Sequence, residues 1–224
     1  MDHRTFVVIG LGRFGTAMAT TLMELGQEVI GIDNSEGRVA DLADTLSQTV
    51  VLDAVDERAL KAAGVQDADV AVVSIGENIE SSVLIVMQLA EFGIREIIAK
   101  AATPLHGKIL QKLGVTRVVY PEHDMAVRVA RSLLVPNVLD YIELSRDYSI
   151  VEVSCPKSFV GKTLRELELR PRFGLTLIAI QRGADDDDGQ QTKVSPSADE
   201  RLRDKDVLAL LGDHHHLLRL DRPS

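Results

Sequence analysis

Short apolar runs alternate with helical patterns through residues 1–135. The runs are rich in Val and Ile, which is typical of strands that are buried on both faces of a parallel sheet. The predicted strands are Thr5–Ile9, Glu28–Ile32, Thr49–Leu52, Val70–Ser74, Ile97–Lys100 and Arg117–Tyr120. The helices predicted between and after them are Phe14–Leu25, Arg38–Thr45, Glu57–Ala63, Ile79–Phe92, Pro104–Leu113 and Asp124–Leu134.

This alternation of strands and helices predicts the α/β fold class. Parallel βαβ units with right-handed crossovers build a Rossmann-like, doubly wound parallel sheet. A glycine stands just past the end of four predicted helices, where a left-handed residue is most easily placed. These glycines are Gly26, Gly64, Gly93 and Gly114.

The pattern changes near Pro136, and a second, smaller α+β domain is predicted beyond it. Val138–Leu144 mixes apolar and polar residues and is interpreted as part of a connector. Gly183–Pro196, with its four aspartates at Asp185–Asp188, is interpreted as a flexible surface loop. The other predicted elements are strands Ser149–Ser154, Leu175–Gln181 and Val207–Leu211 and helices Lys162–Leu167 and Asp213–Leu220. The predicted domains are 1–135 for nucleotide binding, 136–148 for the connector and 149–224 for the C-terminal domain.

The amino-acid composition limits the classes of molecule that the protein is expected to bind. The chain has 224 residues, 45% of them apolar, and a net charge of −9, which argues against nucleic acid because phosphates select basic surfaces. Cys155 is the only cysteine, so no intrachain disulfide is expected, in agreement with a reducing cytosol. The N-terminal apolar stretch is too short for a signal peptide, and no window approaches the ~20 apolar residues of a membrane span. A soluble, cytosolic protein is therefore expected.

Gly10, Gly12 and Gly15 form a G-x-G-x-x-G turn between the first strand and the first helix. In this context the three glycines permit the tight turn, the close approach of a phosphate and the packing of the helix on the strand. Arg13 and Phe14 fill the variable positions, and both are predicted to lie in the nucleotide site. A guanidinium at Arg13 can reach a phosphate of its own or a neighbouring chain's ligand; alternatively, it is simply exposed at the helix start.

Asp33 ends the second strand and is followed by Asn34. A carboxylate at this position accepts hydrogen bonds from ribose hydroxyls and repels a 2′-phosphate, which favours NAD, ATP or ADP over NADP. The alternative is that Asp33 caps the helix after it, although Ser35 is available for that purpose. Both Asp33 and Asn34 are assigned to the predicted cofactor site.

Further candidates follow other strands at the edge where open α/β sheets bind ligands. Asp53 is suited to bond an adenine amino group beside Ala54, and Ile75, next to Gly76, is suited to pack on the ring. For these positions an ordinary role in entering the next helix is an equal alternative. Lys100 ends the fifth strand and can offset ligand charge.

Glu122 follows Tyr120-Pro121 at the start of a predicted helix. A glutamate in a first turn is usually a favourable partner of the helix dipole, but it can also be an oxygen ligand for Mg²⁺ or Ca²⁺ beside phosphates. Two other patterns are set aside. Gly161-Lys162-Thr163 resembles the end of a P-loop, but Pro156 stands where the first glycine belongs. His214–His216 is interpreted as a helix entry capped by Asp213, since adjacent helical residues point in different directions.

Catalytic groups are scarce in the sequence. A hydride-transfer enzyme needs a general acid or base facing the nicotinamide, and the C-terminal residues offer no clear pair of this kind. Cys155 is expected to be a buried structural thiol. An NAD-dependent oxidoreductase nevertheless stays open as an alternative to a nucleotide sensor.

Five segments of the chain together resemble a known family. They are Val-Ile-Gly-Leu-Gly-Arg-Phe-Gly with Asp33, Val-Val-Ser-Ile-Gly-Glu-Asn (72–78), Val-Val-Tyr-Pro-Glu-His-Asp-Met-Ala (118–126) and, in the second half, Gly-Lys-Thr-Leu-Arg-Glu-Leu-Glu-Leu-Arg with Gly-Leu-Thr-Leu-Ile-Ala-Ile-Gln-Arg. The family is that of the KtrA/TrkA-type cytosolic regulators of bacterial potassium uptake, built on the RCK domain. One nucleotide domain with one C-terminal domain is similar to the single-copy KtrA layout.

The resemblance implies a gating subunit that is not an enzyme. Homodimers would assemble into an octameric ring beneath a membrane potassium-translocating subunit (KtrB/TrkH-like), and ATP and ADP, or NAD(H) in some relatives, would switch the ring. By position, Arg13 would reach the γ-phosphate on a neighbouring subunit, and Glu122 would help to bind an activating Mg²⁺ or Ca²⁺. Helix Asp124–Leu134 and the connector would dock on the partner subunit. Cyclic di-AMP at the C-terminal domain is a further expectation from some relatives.

Overall fold

The computed structural model describes residues 3–133, 138–145, 147–182 and 191–217. The chain divides into two compact units, residues 1–122 and 123–224. The division falls at the start of the helix that the sequence analysis assigned to the first domain. The predicted domain bounds 1–135, 136–148 and 149–224 therefore stay a prediction.

The first unit is built on a six-stranded parallel sheet, as the sequence predicts. The strands lie in the order β3-β2-β1-β4-β5-β6, so that the chain reverses its direction of winding between β1 and β4. The first predicted strand coincides with the observed one, the third is shifted by one residue, and the other four differ by one residue at one end. The strands are β1 (Thr5–Ile9), β2 (Glu28–Asp33), β3 (Gln48–Val51), β4 (Val70–Val73), β5 (Glu96–Lys100) and β6 (Arg117–Val119).

The central strands form these elements because helices cover both faces of the sheet. Along β1, Val7 and Ile9 belong to one buried cluster and Val8 belongs to another on the opposite face. All four residues of β4 are buried. This environment accounts for the continuous Val- and Ile-rich runs. The covering helices are α1 (Arg13–Glu24), α2 (Glu36–Ala40), α3 (Glu57–Ala62), α4 (Ile79–Glu91) and α5 (Pro104–Lys112).

Local signals set the ends of these helices. Gly26, Gly64, Gly93 and Gly114 all have left-handed φ values between 75° and 89°, which confirms their predicted place beyond helix ends. The predicted helix Arg38–Thr45 is wrong in extent. Helix α2 ends at Ala40, and the chain continues in turns that place Leu42 and Leu46 in the core.

The second unit contains a five-stranded antiparallel sheet in the order β10-β9-β11-β8-β7. Its core is one cluster that includes Val151, Val153, Ile180, Leu208 and Leu210. The strands are β7 (Val138–Glu143), β8 (Tyr148–Ser154), β9 (Thr176–Arg182), β10 (Gln191–Val194) and β11 (Val207–Asp213). The helices are α6 (Pro121–Ser132, which begins in the first unit), α7 (Leu164–Leu167), α8 (Leu169–Phe173) and α9 (His214–Leu217).

Two segments of this unit correct the sequence analysis. Val138–Leu144 is not a plain connector, because β7 pairs with β8 over most of its length. The pairing shifts between Val138 and Asp140, and this bulge breaks the alternation by which a strand is recognised. Within Gly183–Pro196, Gln191–Val194 forms β10 on the sheet edge with every side chain exposed, so no apolar pattern marks it. Asp185–Asp188 lies outside the described residues.

The two patterns set aside in the sequence have structural roles. Thr163 caps α7, and its side chain and that of Glu166 exchange hydrogen bonds with each other's backbone. Asp213 accepts from the His216 N–H at 2.9 Å and so caps α9, as predicted. The predicted extension of that helix to Leu220 lies partly outside the described residues. Within the described part of the chain, no helix is both long and apolar enough to cross a membrane.

The pairing of β7 can be tested through Tyr141, which is 8% exposed and whose hydroxyl lies 2.6 Å from Ser149 Oγ on β8. Tyr141→Phe removes this buried hydrogen bond and should lower the free energy of unfolding by about 1 kcal/mol. Chemical denaturation followed by circular dichroism measures the change. Tyr148→Phe is the matched control, because Tyr148 is 54% exposed. Equal stabilities for the two variants would contradict the packed strand.

Candidate functional site: a cleft at the switch point of the parallel sheet

A cleft of about 1100 Å³ opens at the carboxyl ends of the parallel strands, where the order reverses between β1 and β4. Open α/β sheets bind ligands at this place. The structure brings together every predicted site residue except Gly15 along its wall. The predicted residues that line it are Gly10, Gly12, Arg13, Phe14, Asp33, Asn34, Asp53, Ala54, Ile75, Gly76, Lys100 and Glu122.

The glycine turn is held from both sides of the switch point. Gly10 has a φ of +92°, its N–H donates to the Ile32 carbonyl at 2.8 Å, and its own carbonyl accepts from Ser74 Oγ at 2.7 Å. A Cβ on Gly15 would lie 1.8 Å from the Gly10 carbonyl oxygen. Gly15 therefore serves the packing of α1 against β1 and not the lining of the cleft, whereas a Cβ on Gly12 would meet no atom within 4 Å.

Asp33 lies at the end of β2 with its side chain only 3% exposed. Its Oδ2 accepts from the Leu11 N–H at 2.7 Å, and its Oδ1 accepts from the Ser35 N–H at 2.9 Å. The carboxylate thus holds the glycine turn against the end of β2. It also fixes the backbone at Ser35, where the chain enters α2. Ser35 is the N-cap residue of α2, but its side chain makes no capping hydrogen bond. The interpretation of Asp33 as the helix cap is therefore wrong, since Ser35 holds that position. The Asp33 side chain lines the cleft, and its contact with ribose stays a prediction.

The loops after β3 and β4 form the neighbouring wall. Asp53 is exposed, and its Oδ1 accepts from the Val55 N–H at 3.1 Å, which shapes the turn into α3. Gly76 leaves room for Lys100, because a Cβ there would lie 3.1 Å from Lys100 Cε. Whether Asp53 and Ile75 contact adenine stays a prediction.

Lys100 and Glu122 meet at the far end of the cleft. Lys100 Nζ lies 2.5 Å from Glu122 Oε1, with side-chain exposures of 18% and 70%. The hydrogen bond from Lys100 lowers the pKa of Glu122 below its ordinary value. Among the described residues no group of three or more His, Cys, Asp or Glu side chains is placed to hold a metal ion. The carboxylate of Glu122 is 70% exposed at this end of the cleft.

Arg13 is the first residue of α1 and is exposed on the cleft wall. No acidic residue lies in the first turn of α1, and no hydrogen bond or ion pair of Arg13 occurs among the described residues. A guanidinium at the positive end of a helix is electrostatically unfavourable unless an anion is near. The position therefore suits a phosphate.

Several residues that line the cleft were not predicted from the sequence. Ser74 ends the strand segment that was recognised, but its hydroxyl contact with the Gly10 carbonyl gives no pattern in the sequence. Arg38 lies on α2, five positions after Asp33, and its Nη1 is 3.3 Å from Asp33 Oδ2. The exposed loop before α4 contributes Glu77 and Asn78, of which Asn78 is the N-cap residue of that helix. The short distance in sequence from Asp33 was the one available signal for Arg38.

Cys155 lies in the second unit and is 8% exposed. Burial raises the pKa of its thiol to about 11. Since the thiolate is the nucleophilic form, the side chain is poorly suited to covalent chemistry near neutral pH. This agrees with the expected structural role.

Comparison with known families identifies the chain. The TrkA-N domain matches residues 6–121, which contain the whole cleft except Glu122, and the TrkA-C domain matches residues 149–223. The chain belongs to the TrkA family of RCK-domain proteins, which confirms the resemblance.

One relative and two solved structures make the placement more specific. The Ktr system potassium uptake protein C of Bacillus subtilis is 38% identical over 219 residues, 98% of this chain and 96% of that protein. The GsuK RCK domain shares the fold, with a TM-score of 0.63 at 19% identity over 99% of this chain and 47% of that one. The Kef CTD of Shewanella denitrificans, solved in an AMP-bound form, has a TM-score of 0.53 at 27% identity over 58% of this chain and 79% of that one.

The different tasks of Gly15 and Gly12 give a paired prediction. Gly15→Ala forces its methyl group into the Gly10 carbonyl and should destabilise the first unit by about 3 kcal/mol or more. Gly12→Ala should leave the melting temperature nearly unchanged and weaken nucleotide binding, because its methyl group occupies space that a phosphate needs. Thermal denaturation and calorimetric titration with ATP separate the two effects. A stable Gly15→Ala variant would contradict the packing role.

Proposed function

We propose that this chain is the nucleotide-sensing regulatory subunit of a potassium uptake system. The cleft carries the proposal, because the glycine turn, Asp33 and Glu122 line one space at the switch point of the sheet. The relative that matches nearly the whole chain is a potassium uptake protein by name. Binding of an adenine nucleotide would change the shape of the subunit and so control a membrane partner that translocates potassium.

A sensor fits the chemistry of the cleft better than an enzyme does. Among the described residues that line it there is no histidine and no cysteine. His106 is wholly buried on α5, and burial lowers its pKa, so that it favours the neutral form and stays apart from the ligand space. A dehydrogenase would need a positioned acid or base at the reacting carbon. These features support binding without turnover.

The ligand is proposed to be ATP or ADP. The Asp33 carboxylate suits ribose hydroxyls and disfavours a 2′-phosphate, which argues against NADP. The 27% identical Kef CTD was solved with AMP, which supports an adenine nucleotide at this site. NAD(H) has the same adenosine half and is kept as the alternative ligand of a TrkA-type sensor.

Arg13 is proposed to distinguish ATP from ADP by contacting the γ-phosphate on a neighbouring subunit. Two nucleotides can switch a protein only if their affinities differ between its two states. An exposed guanidinium without a partner among the described residues supplies a contact that only the longer phosphate chain reaches. Arg13 would thereby give ATP a preference for one state.

A divalent cation, Mg²⁺ or Ca²⁺, is proposed to bind between Glu122 and the phosphates. Mg²⁺ is commonly held by one or two carboxylates together with the phosphates of a nucleotide. The exposed carboxylate of Glu122 fits this arrangement, provided that the cation displaces Lys100. When bound, the cation would neutralise phosphate charge, while Glu122 would fix its position.

The assembly is proposed to be a homodimer that forms an octameric ring on the cytosolic face of a potassium-translocating membrane subunit. Met125 and Val129 on α6, and Leu133 just beyond its end, are exposed apolar residues four positions apart, and so form one stripe. Such a stripe supports a role of α6 in pairing with another chain. Cyclic di-AMP binding by the C-terminal domain rests on the family resemblance alone.

A thermal-shift screen tests the function as a whole. ATP and ADP at high excess should raise the melting temperature, because a ligand that binds only the folded state stabilises it by mass action. The screen includes NAD, NADH, NADP and cyclic di-AMP, each with and without Mg²⁺ or Ca²⁺. Glu122→Gln should lose the part of the ATP shift that depends on the cation. Steady turnover of NADH with a small substrate, or no shift with any nucleotide, would overturn the proposal.

Arg13→Ala should bring the affinities for ATP and ADP together. The expected loss is in ATP binding, by about tenfold, because a charge-assisted contact to phosphate is removed while the fold is kept. Calorimetric titration of the assembled protein with both nucleotides measures the change. Arg58→Ala, at an exposed position on α3 outside the cleft, is the control. An undiminished preference for ATP in the Arg13 variant would rule out this role.

A further inference from the structure

Arg38 lines the cleft but takes no part in the proposed contacts with phosphate, ribose or cation. Its Nη1 lies 3.3 Å from Asp33 Oδ2, and its side chain is 57% exposed whereas that of Asp33 is 3% exposed. It belongs to the last turn of α2, whose only buried residue is Val39. The Arg38 side chain therefore contributes little to the packing of the fold and is free to change partners.

The acceptor sites of Asp33 show why a change of partner is expected. A carboxylate has about four lone-pair sites. The Leu11 N–H occupies one site on Oδ2, and the Ser35 N–H occupies one on Oδ1. Both donors are fixed backbone groups, so Arg38 is the one donor of the three that can leave. A ribose with two adjacent hydroxyls needs two acceptors, which are the remaining site on Oδ1 and the site on Oδ2 that Arg38 now occupies.

Breaking the ion pair between Arg38 and Asp33 costs little free energy. The pair is long at 3.3 Å, has a single contact and is open to water on the arginine side. An ion pair with one long contact and a guanidinium that is open to water contributes little to stability. A ribose hydroxyl that reaches the carboxylate from the cleft can therefore replace the guanidinium. The two hydrogen bonds from the backbone N–H groups stay intact.

The released guanidinium has a suitable partner in the base. The cleft has an apolar wall of Leu52, Ala54, Val55 and Ile75, which share one hydrophobic cluster, while Val39 of α2 belongs to another. A base attached to a ribose on Asp33 would rest one face on this wall and leave the other face toward α2. A planar, weakly hydrated guanidinium stacks well on such an aromatic face, and an ammonium does so less well.

We propose that Arg38 is the adenine-binding residue of the cleft: it exchanges Asp33 for the base when the nucleotide enters and closes over the exposed face of the ring. This rests on the proposed function, since it assumes an adenine nucleotide with its ribose at Asp33. It adds a contact common to ATP, ADP and NAD, and so sets the class of ligand without telling ATP from ADP. The competing role is a plain counter-ion for Asp33.

Calorimetric titration of the full-length protein with ATP, ADP and inorganic tripolyphosphate tests this exchange. Arg38→Ala should weaken ATP and ADP equally, by about tenfold, because the stacking contact is lost from both. Tripolyphosphate, which has neither ribose nor base, should bind the variant as it binds the wild type. Arg38→Lys should recover only a minor part of the loss, because its ammonium is not planar. Arg58→Ala should behave as wild type.

Several results would overturn the proposal. ATP binding by Arg38→Ala that is unchanged or tighter would mean that Arg38 only neutralises Asp33. An equal loss for tripolyphosphate would place Arg38 on the phosphates, and full recovery in Arg38→Lys would show that charge alone matters. The nucleotide-free Arg38→Ala protein should melt within about 2 °C of wild type, since an exposed side chain is removed. If the wild type binds no adenine nucleotide, the proposed function fails together with this inference; if it binds and only the Arg38 predictions fail, the function stands.

Discussion

The hydrogen bond from the Leu11 N–H to the buried Asp33 carboxylate is the contact on which the cleft depends. At 2.7 Å it joins the glycine turn to the end of β2, while Ser74 holds the Gly10 carbonyl from the β4 side. Loss of the Asp33 contact would leave the buried Leu11 N–H without its partner, which costs more than the bond itself contributes. The backbone that would receive phosphate is thus positioned before any ligand arrives, and the sheet does not need to rearrange on binding.

This use of Asp33 in the fold limits its use in recognition. Two of its acceptor sites are already taken by fixed backbone donors, so a substitution of Asp33 changes stability and binding together. Selectivity among nucleotides is better placed on side chains that the fold does not require. Arg13, Arg38 and Glu122 are all exposed at the cleft. The buried Asp33, together with Arg38, would then set the general class of ligand, and Arg13 and Glu122 would set the particular ligand and its effect.

The sequence predicts the features that have local signals and misses those that depend on contacts between distant elements. The parallel half was predicted closely, because its strands are continuous apolar runs and its helices end at glycines with left-handed φ. Such signals are local. The missed strands β7 and β10 lie on the edges of the second sheet, where a bulge and full exposure remove the alternation. The predicted site residues gathered at one cleft because parallel strands all end at the same edge. Arg38 and Ser74 were missed because their contacts join elements whose distance only the fold determines.

The pairing of Lys100 with Glu122 couples the binding of the proposed cation to that of the nucleotide. While these side chains are 2.5 Å apart, the ammonium of Lys100 is engaged and the carboxylate of Glu122 adds negative charge where phosphates would lie. A divalent ion held by Glu122 and the phosphates would reverse both conditions, since it releases Lys100 toward the phosphates and neutralises the carboxylate. Cation and nucleotide should therefore favour each other's binding. Thermodynamic linkage requires that the two effects be equal, so the factor by which the cation tightens nucleotide binding is also the factor by which the nucleotide tightens cation binding. A subunit arranged in this way would respond to the nucleotide and the cation jointly.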